Sequence, residues 1–121
     1  MKRPDDWHIH LRDDAYLKRT VGDAARYFGR VLVMPNLVTP VTNVALAAAY
    51  RDRILRHAPS GFSPMMALYL TDETSKATVA AAAETTFTPA FKLYPAGATT
   101  SSACSISAIE GMFPIFEAMQ E

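Results

Sequence analysis

His8 and His10 stand two residues apart in the stretch Trp7-His8-Ile9-His10-Leu11-Arg12. On an extended segment alternate side chains share a face, so the two imidazoles converge while Trp7, Ile9 and Leu11 point the other way. Neutral imidazole is a good ligand for zinc and similar metals, and a pair held on one strand loses little entropy on binding. Two strand histidines satisfied by hydrogen bonds would have the same spacing, so the pair alone leaves both readings open. Arg12, just past the strand, carries a planar, always-charged guanidinium suited to gripping a carboxylate. Lys92 interrupts the apolar run Ala90-Phe91-Lys92-Leu93-Tyr94. Buried there, a lysine is costly unless paired or deprotonated; facing outward, it would only lay its stem along a helix. Asn36 follows Met34-Pro35, a place where asparagine is ordinary turn chemistry.

These residues need elements to hold them. Four runs read as strands, starting near Trp7, Val31, Met65 and Ala90; Val31-Leu32-Val33-Met34 has the continuous apolar character of a strand buried on both faces. Between them lie helical patterns. From Asp13 to Phe28 the stripe is Leu17, Val21, Ala24, Ala25 and Phe28, with Gly29 as a natural stop. Thr42 or Asn43 can cap a second helix running to about Ala58, whose inner face is expected at Ala45, Leu46, Ala49, Tyr50, Ile54 and Leu55, with Arg51, Arg53 and Arg56 on a solvated face. A short alanine-rich helix spans about Ser75 to Glu84. The last begins with Ser107 and Glu110 spaced as a capping box and continues through Met119, kinked at Pro114. Ala96 to Ser105 is small and polar and reads as a mobile loop rather than a domain linker.

Strand and helix alternate four times, which implies right-handed βαβ units and a parallel α/β sheet. Four units are half of a (β/α)8 TIM-type barrel, whose usual length is ~250 residues. The rival architecture, a doubly wound sheet, would place a glycine-rich phosphate loop after the first strand. His10-Leu11-Arg12-Asp13-Asp14 occupies that position instead. A barrel keeps its active site at the carboxyl ends of its strands, where all the polar residues singled out above would lie.

Composition narrows the partners. The 121 residues suffice for one domain core, and half of them are hydrophobic. Twelve basic residues balance twelve acidic ones, so nothing global attracts nucleic acid or an anionic membrane, and specific recognition must be local. The single cysteine, Cys104, excludes an internal disulfide and fits a reducing compartment. No apolar run could span a bilayer, and Met-Lys-Arg-Pro-Asp-Asp does not open a signal peptide, so the expected location is cytoplasmic.

His-Ile-His-Leu-Arg, Val-Met-Pro-Asn-Leu and Phe-Lys-Leu-Tyr-Pro-Ala-Gly-Ala-Thr-Thr, in this order and spacing, resemble the amino-terminal half of a dihydroorotase of the shorter bacterial type. The resemblance runs from Arg3-Pro4-Asp5-Asp6-Trp7 to the last helix. It implies a metal-dependent amidohydrolase barrel that interconverts N-carbamoyl-L-aspartate and L-dihydroorotate in pyrimidine synthesis, with residues 1–121 forming the amino-terminal half of one barrel domain. It implies two zinc ions, with His8 and His10 holding the more buried one and Lys92, carboxylated on its ε-nitrogen, bridging both. His10, Arg12 and Asn36 would contact the substrate, and Thr99 and Thr100 would be the tips of a loop closing over it. The family's catalytic aspartate and two further histidines would lie beyond Glu121, so the chain is expected to be part of a longer one, inactive alone and a homodimer when full length. His57, beside Arg56, is expected to be a solvated surface residue. A hydantoinase- or allantoinase-like cyclic amidase and a non-catalytic binding domain are the alternatives. Arg12 with Asn36 favours an acidic substrate over the former, and the presence of His8, His10, Arg12, Asn36 and Lys92 together argues against the latter.

Overall fold

The computed structural model describes residues 2–95 and 106–120. Its elements alternate as expected: β1 (Asp5–Ile9), α1 (Leu17–Tyr27), β2 (Arg30–Val33), α2 (Val44–Leu55), β3 (Ser63–Tyr69), α3 (Lys76–Ala83), β4 (Ala90–Lys92) and α4 (Phe113–Ala118). All strand pairs are parallel and the order is β1-β2-β3-β4. Strands laid down in chain order, without a reversal of direction across the sheet, are the arrangement of a barrel and not of a doubly wound sheet. The chain is an α/β half-barrel, equivalent to the first βα units of a TIM barrel.

One face of this sheet is sealed by helices. Val31 and Val33 of β2 and Met66 and Leu68 of β3 pack with Leu17 and Val21 of α1 and Ala47, Tyr50 and Ile54 of α2 in one buried cluster. A second cluster joins Leu70 and Val79 to Ile106, Met112 and Ile115 under α3 and α4. On the opposite face, Leu32 of β2 and Met65 of β3 are only half-buried. That is the side a complete barrel would enclose.

Several local expectations are corrected. The buried stripe of α2 is Ala47, Tyr50 and Ile54, while Ala45, Leu46, Ala49 and Leu55 are exposed. The helix is apolar nearly all round, so periodicity alone could not choose its inner face. The arginines of α2 are not uniformly solvated either. Arg51 donates to the Pro64 carbonyl at 3.0 Å and lies over the Phe87 ring, and Arg53 reaches Asp13; of the three only Arg56 is exposed. Gly29 is not a left-handed stop. The chain leaves α1 through an extended Phe28, and the Gly29 amide donates to the Pro4 carbonyl while its own carbonyl accepts from Ser63.

At the carboxyl end, Ser107 does not form a capping box; its amide donates to the Asp72 carboxylate at 3.0 Å. Ile109–Met112 is a 3-10 turn, and Pro114 sits in the first turn of α4, where its missing amide costs nothing and no kink results. Asn43 does cap α2, its side chain accepting from the Leu46 amide. Trp7, expected on the face of β1 opposite the imidazoles together with Ile9 and Leu11, is 56% exposed, whereas Leu11 is buried. The pairing register gains one residue on β1 between Asp6 and Ile9, which breaks strict alternation there and leaves Trp7 under the Arg30 guanidinium, itself held by Asp5.

The corrected face of α2 is testable. Ile54→Ala is expected to destabilise the protein by about 3 kcal/mol and Leu55→Ala by less than about 1 kcal/mol, measured by denaturant unfolding.

Candidate functional site

The strand register delivers the polar residues to one side of the sheet. Ile9 pairs with Val33, and Leu68 with Phe91, on the helix-packed face; His10 and Lys92, each one residue on, therefore turn to the open face. The β1 bulge does not separate the imidazoles. Their ring centroids are 5.3 Å apart and the two Nε2 atoms 3.3 Å apart. His10 is held below its ordinary pKa, first by burial and then by the charges of Arg12, His8 and Lys92, so its neutral, metal-competent form is favoured. Lys92 pairs in register with Tyr69 and holds its Nζ 5.4 Å from the Tyr94 ring centre, which in turn stacks on Tyr69. Among the described residues Lys92 has no acidic partner. The inward alternative for this lysine is the one observed.

Arg12 and Asn36 come from turns at the same carboxyl ends. Both line a cavity of about 960 Å³ together with Asp14, Tyr16, Val38 and Leu46. The imidazoles and Lys92 are not among its lining residues, so the cavity does not contain the histidine pair. The Asn36 side-chain oxygen is buried without a hydrogen-bond partner among the described residues, an arrangement that a polar ligand or water would relieve. Arg12 is exposed and forms no ion pair among the described residues. Thr99 and Thr100 lie outside the described residues, as does Cys104. His57 is exposed in the turn after α2, as expected.

Among the described residues no group of three or more histidine, cysteine, aspartate or glutamate side chains is placed to hold a metal. Two converging nitrogen donors and a nearby lysine amine are a partial set. They fit a metal that takes its remaining ligands from elsewhere.

Motif reading missed the supports of Arg12. Arg53 reaches back across forty residues of sequence to grip Asp13 through two bonds, Nε to Oδ1 at 3.1 Å and Nη2 to Oδ2 at 2.6 Å. The Tyr50 hydroxyl donates to the Arg12 carbonyl. Neither partner carries a local sequence signal, because each pair is made by the packing of α2 on the β1–α1 turn.

These features define a class, the (β/α)8 barrels with a site at the carboxyl ends of the strands, represented here by the first βα units. Within that class the similarity is to dihydroorotases. The chain is 60% identical to the dihydroorotase of Ectopseudomonas mendocina, 58% to that of Pseudomonas putida strain KT2440 and 60% to that of Azotobacter vinelandii, each over 98% of its own length. It spans about a third of these relatives, 35% of each, a smaller share than the half suggested by counting strands. The dihydroorotase structure from Campylobacter jejuni superposes with a TM-score of 0.86 at 37% identity, covering 98% of this chain and 35% of that one. The Saccharomyces cerevisiae dihydroorotase in complex with 5-fluoroorotic acid gives 0.87 at 28% identity, with 98% and 33% covered. No family model matches. No helix among the described residues is long and apolar enough to cross a membrane.

The Asp13–Arg53 pair sets a pH dependence. Hydrogen bonding from Arg53 holds the Asp13 carboxyl below its ordinary value of 3.8, against the opposing effect of burial. The pair's contribution is therefore complete above that value and lost as pH falls through the lowered one. Both side chains keep contact with solvent, so Asp13→Asn is expected to cost about 1 kcal/mol at neutral pH. The gap in unfolding free energy between the two proteins should close as the acid range is entered.

Proposed function

We propose that the full-length protein is a zinc-dependent dihydroorotase that reversibly cyclises N-carbamoyl-L-aspartate to L-dihydroorotate, and that residues 1–121 are the amino-terminal part of its single barrel domain. The observation that carries this reading is the position of Lys92 on the same open face as the converged His8 and His10, with Arg12 and Asn36, from turns at the same carboxyl ends, lining a cavity. Similarity to dihydroorotases over 98% of the chain supports it. His8 and His10 would each give a ring nitrogen to one metal. Lys92, as a neutral amine, would add carbon dioxide at Nζ with loss of a proton, and the resulting carbamate would help hold the zinc. Bound there, zinc supplies a Lewis acid and ionises water near neutral pH.

The chain's other residues select and orient the ligand. Arg12 matches a carboxylate in charge and planar geometry, and the Asn36 amide N–H groups would donate to it, while the Asn36 oxygen, without a partner among the described residues, would accept from a donor of the ligand. His10 lies within the electrostatic reach of Arg12 and would touch the same ligand. Thr99 and Thr100 enter on the resemblance alone, as hydroxyl donors. The general acid that protonates the departing ring nitrogen is assigned on the same ground to an aspartate outside this span, which would leave residues 1–121 inactive by themselves. The reading extends to a cytoplasmic homodimer as the working form.

Arg12 and Asn36 favour this substrate over an uncharged hydantoin ring, and dihydroorotate should compete more strongly than hydantoin for the full-length protein. Lys92→Arg keeps a cation but cannot form the carbamate. It is expected to lower kcat by at least roughly a hundredfold, the upper end of what even outer-shell metal partners cost, and to abolish both bound zinc and incorporation of isotopically labelled bicarbonate. A full-length protein with neither metal nor carbamate would point instead to a non-catalytic binding domain.

A further inference from the structure

The β1–α1 turn holds two non-glycine residues in the left-handed region, Arg12 at φ 61° and Asp14 at φ 52°. Such backbone persists only where the surroundings over-determine it. Here the surroundings are mostly one helix. From α2, the Tyr50 hydroxyl donates to the carbonyl of Arg12, and Arg53 clamps the side chain of the residue between the two left-handed ones, Asp13. Tyr50 and Arg53 lie three apart on one face of α2, with the guanidinium 5.3 Å from the ring centre. From α1, the Thr20 hydroxyl donates to the Leu11 carbonyl at 2.5 Å, fixing the residue before the turn.

Tyr50 is completely buried. Phenylalanine would fill the same volume without a hydroxyl that needs a partner in the interior. The partner that hydroxyl has is the backbone of Arg12, an arginine that lines the cavity and forms no ion pair among the described residues. We infer that Tyr50 and Arg53 are positioning residues, which hold Arg12 in its left-handed conformation and so aim its guanidinium at the carboxylate of the bound ligand. The inference rests on the proposed carboxylate-binding role of Arg12 and adds to it the device that sets its direction.

The test is calorimetric titration of the full-length protein with orotate and with uracil, the same ring without the carboxylate. Tyr50→Phe is expected to weaken orotate by about tenfold, the loss of roughly one buried hydrogen bond, to leave uracil unchanged, and to raise KM for dihydroorotate with kcat held. In an Arg12→Met background the same change should have no further effect, because the group being aimed is gone. Equal loss for both ligands, or additivity with Arg12→Met, would show Tyr50 to be structural only and overturn the inference. A wild-type protein that prefers orotate, with the preference intact in Tyr50→Phe, would overturn it while leaving the carboxylate reading in place. A wild-type protein with no preference for orotate would end both. Arg53→Lys, which keeps a charge but loses the two-pronged grip on Asp13, carries the same expectations if Tyr50→Phe does not fold.

Discussion

The contact on which the molecule depends is the one between the outer face of the sheet and helices α1 and α2. Val31, Val33, Met66 and Leu68 must meet Val21, Ala47, Tyr50 and Ile54, because burial of these side chains is the dominant favourable contribution to folding. Once every second strand residue is committed to that contact, the residues between them have no choice of side. A slip of one residue would expose the valines and bury the lysine, so the apolar contact and the polar face are a single constraint. The chemistry-bearing groups are thus aimed by residues that never touch a ligand.

Two kinds of support meet at the site. The imidazoles and Lys92 belong to strands, or to the residue just beyond one, and inherit the rigidity of the sheet. Arg12 and Asn36 belong to turns, whose backbone is held by side chains from elsewhere. Charge also organises the cluster. Arg12, His8 and Lys92 all act on His10 in the same direction as its burial, which favours the neutral form of its imidazole.

The alternation of strands and helices, the parallel sheet and the convergence of His8 with His10 were legible because each follows from periodicity that the backbone enforces. Lys92 was legible as an anomaly, and its register against Tyr69 resolved which way it turns. The face of α2 was legible only at Tyr50 and Ile54, which are buried as expected. Ala45, Leu46, Ala49 and Leu55 are as apolar as Ala47 and Ile54, and only the neighbours of the helix distinguish them. The roles of Arg51 and Arg53 were hidden for a related reason, since a charged residue on a helix reads as solvated until its distant partner is known. The β1 bulge is similarly invisible, because one extra residue in a pairing leaves no mark in composition.

The backbone of Arg12 has a corollary for how such a protein can fail. At a φ of 61° glycine is the residue with least to lose, so exchanging this arginine for glycine would ease the turn while deleting the cation. On the proposed ligand-gripping role of Arg12 the loss would fall on recognition while the turn itself was relieved, so one exchange would separate backbone ease from binding.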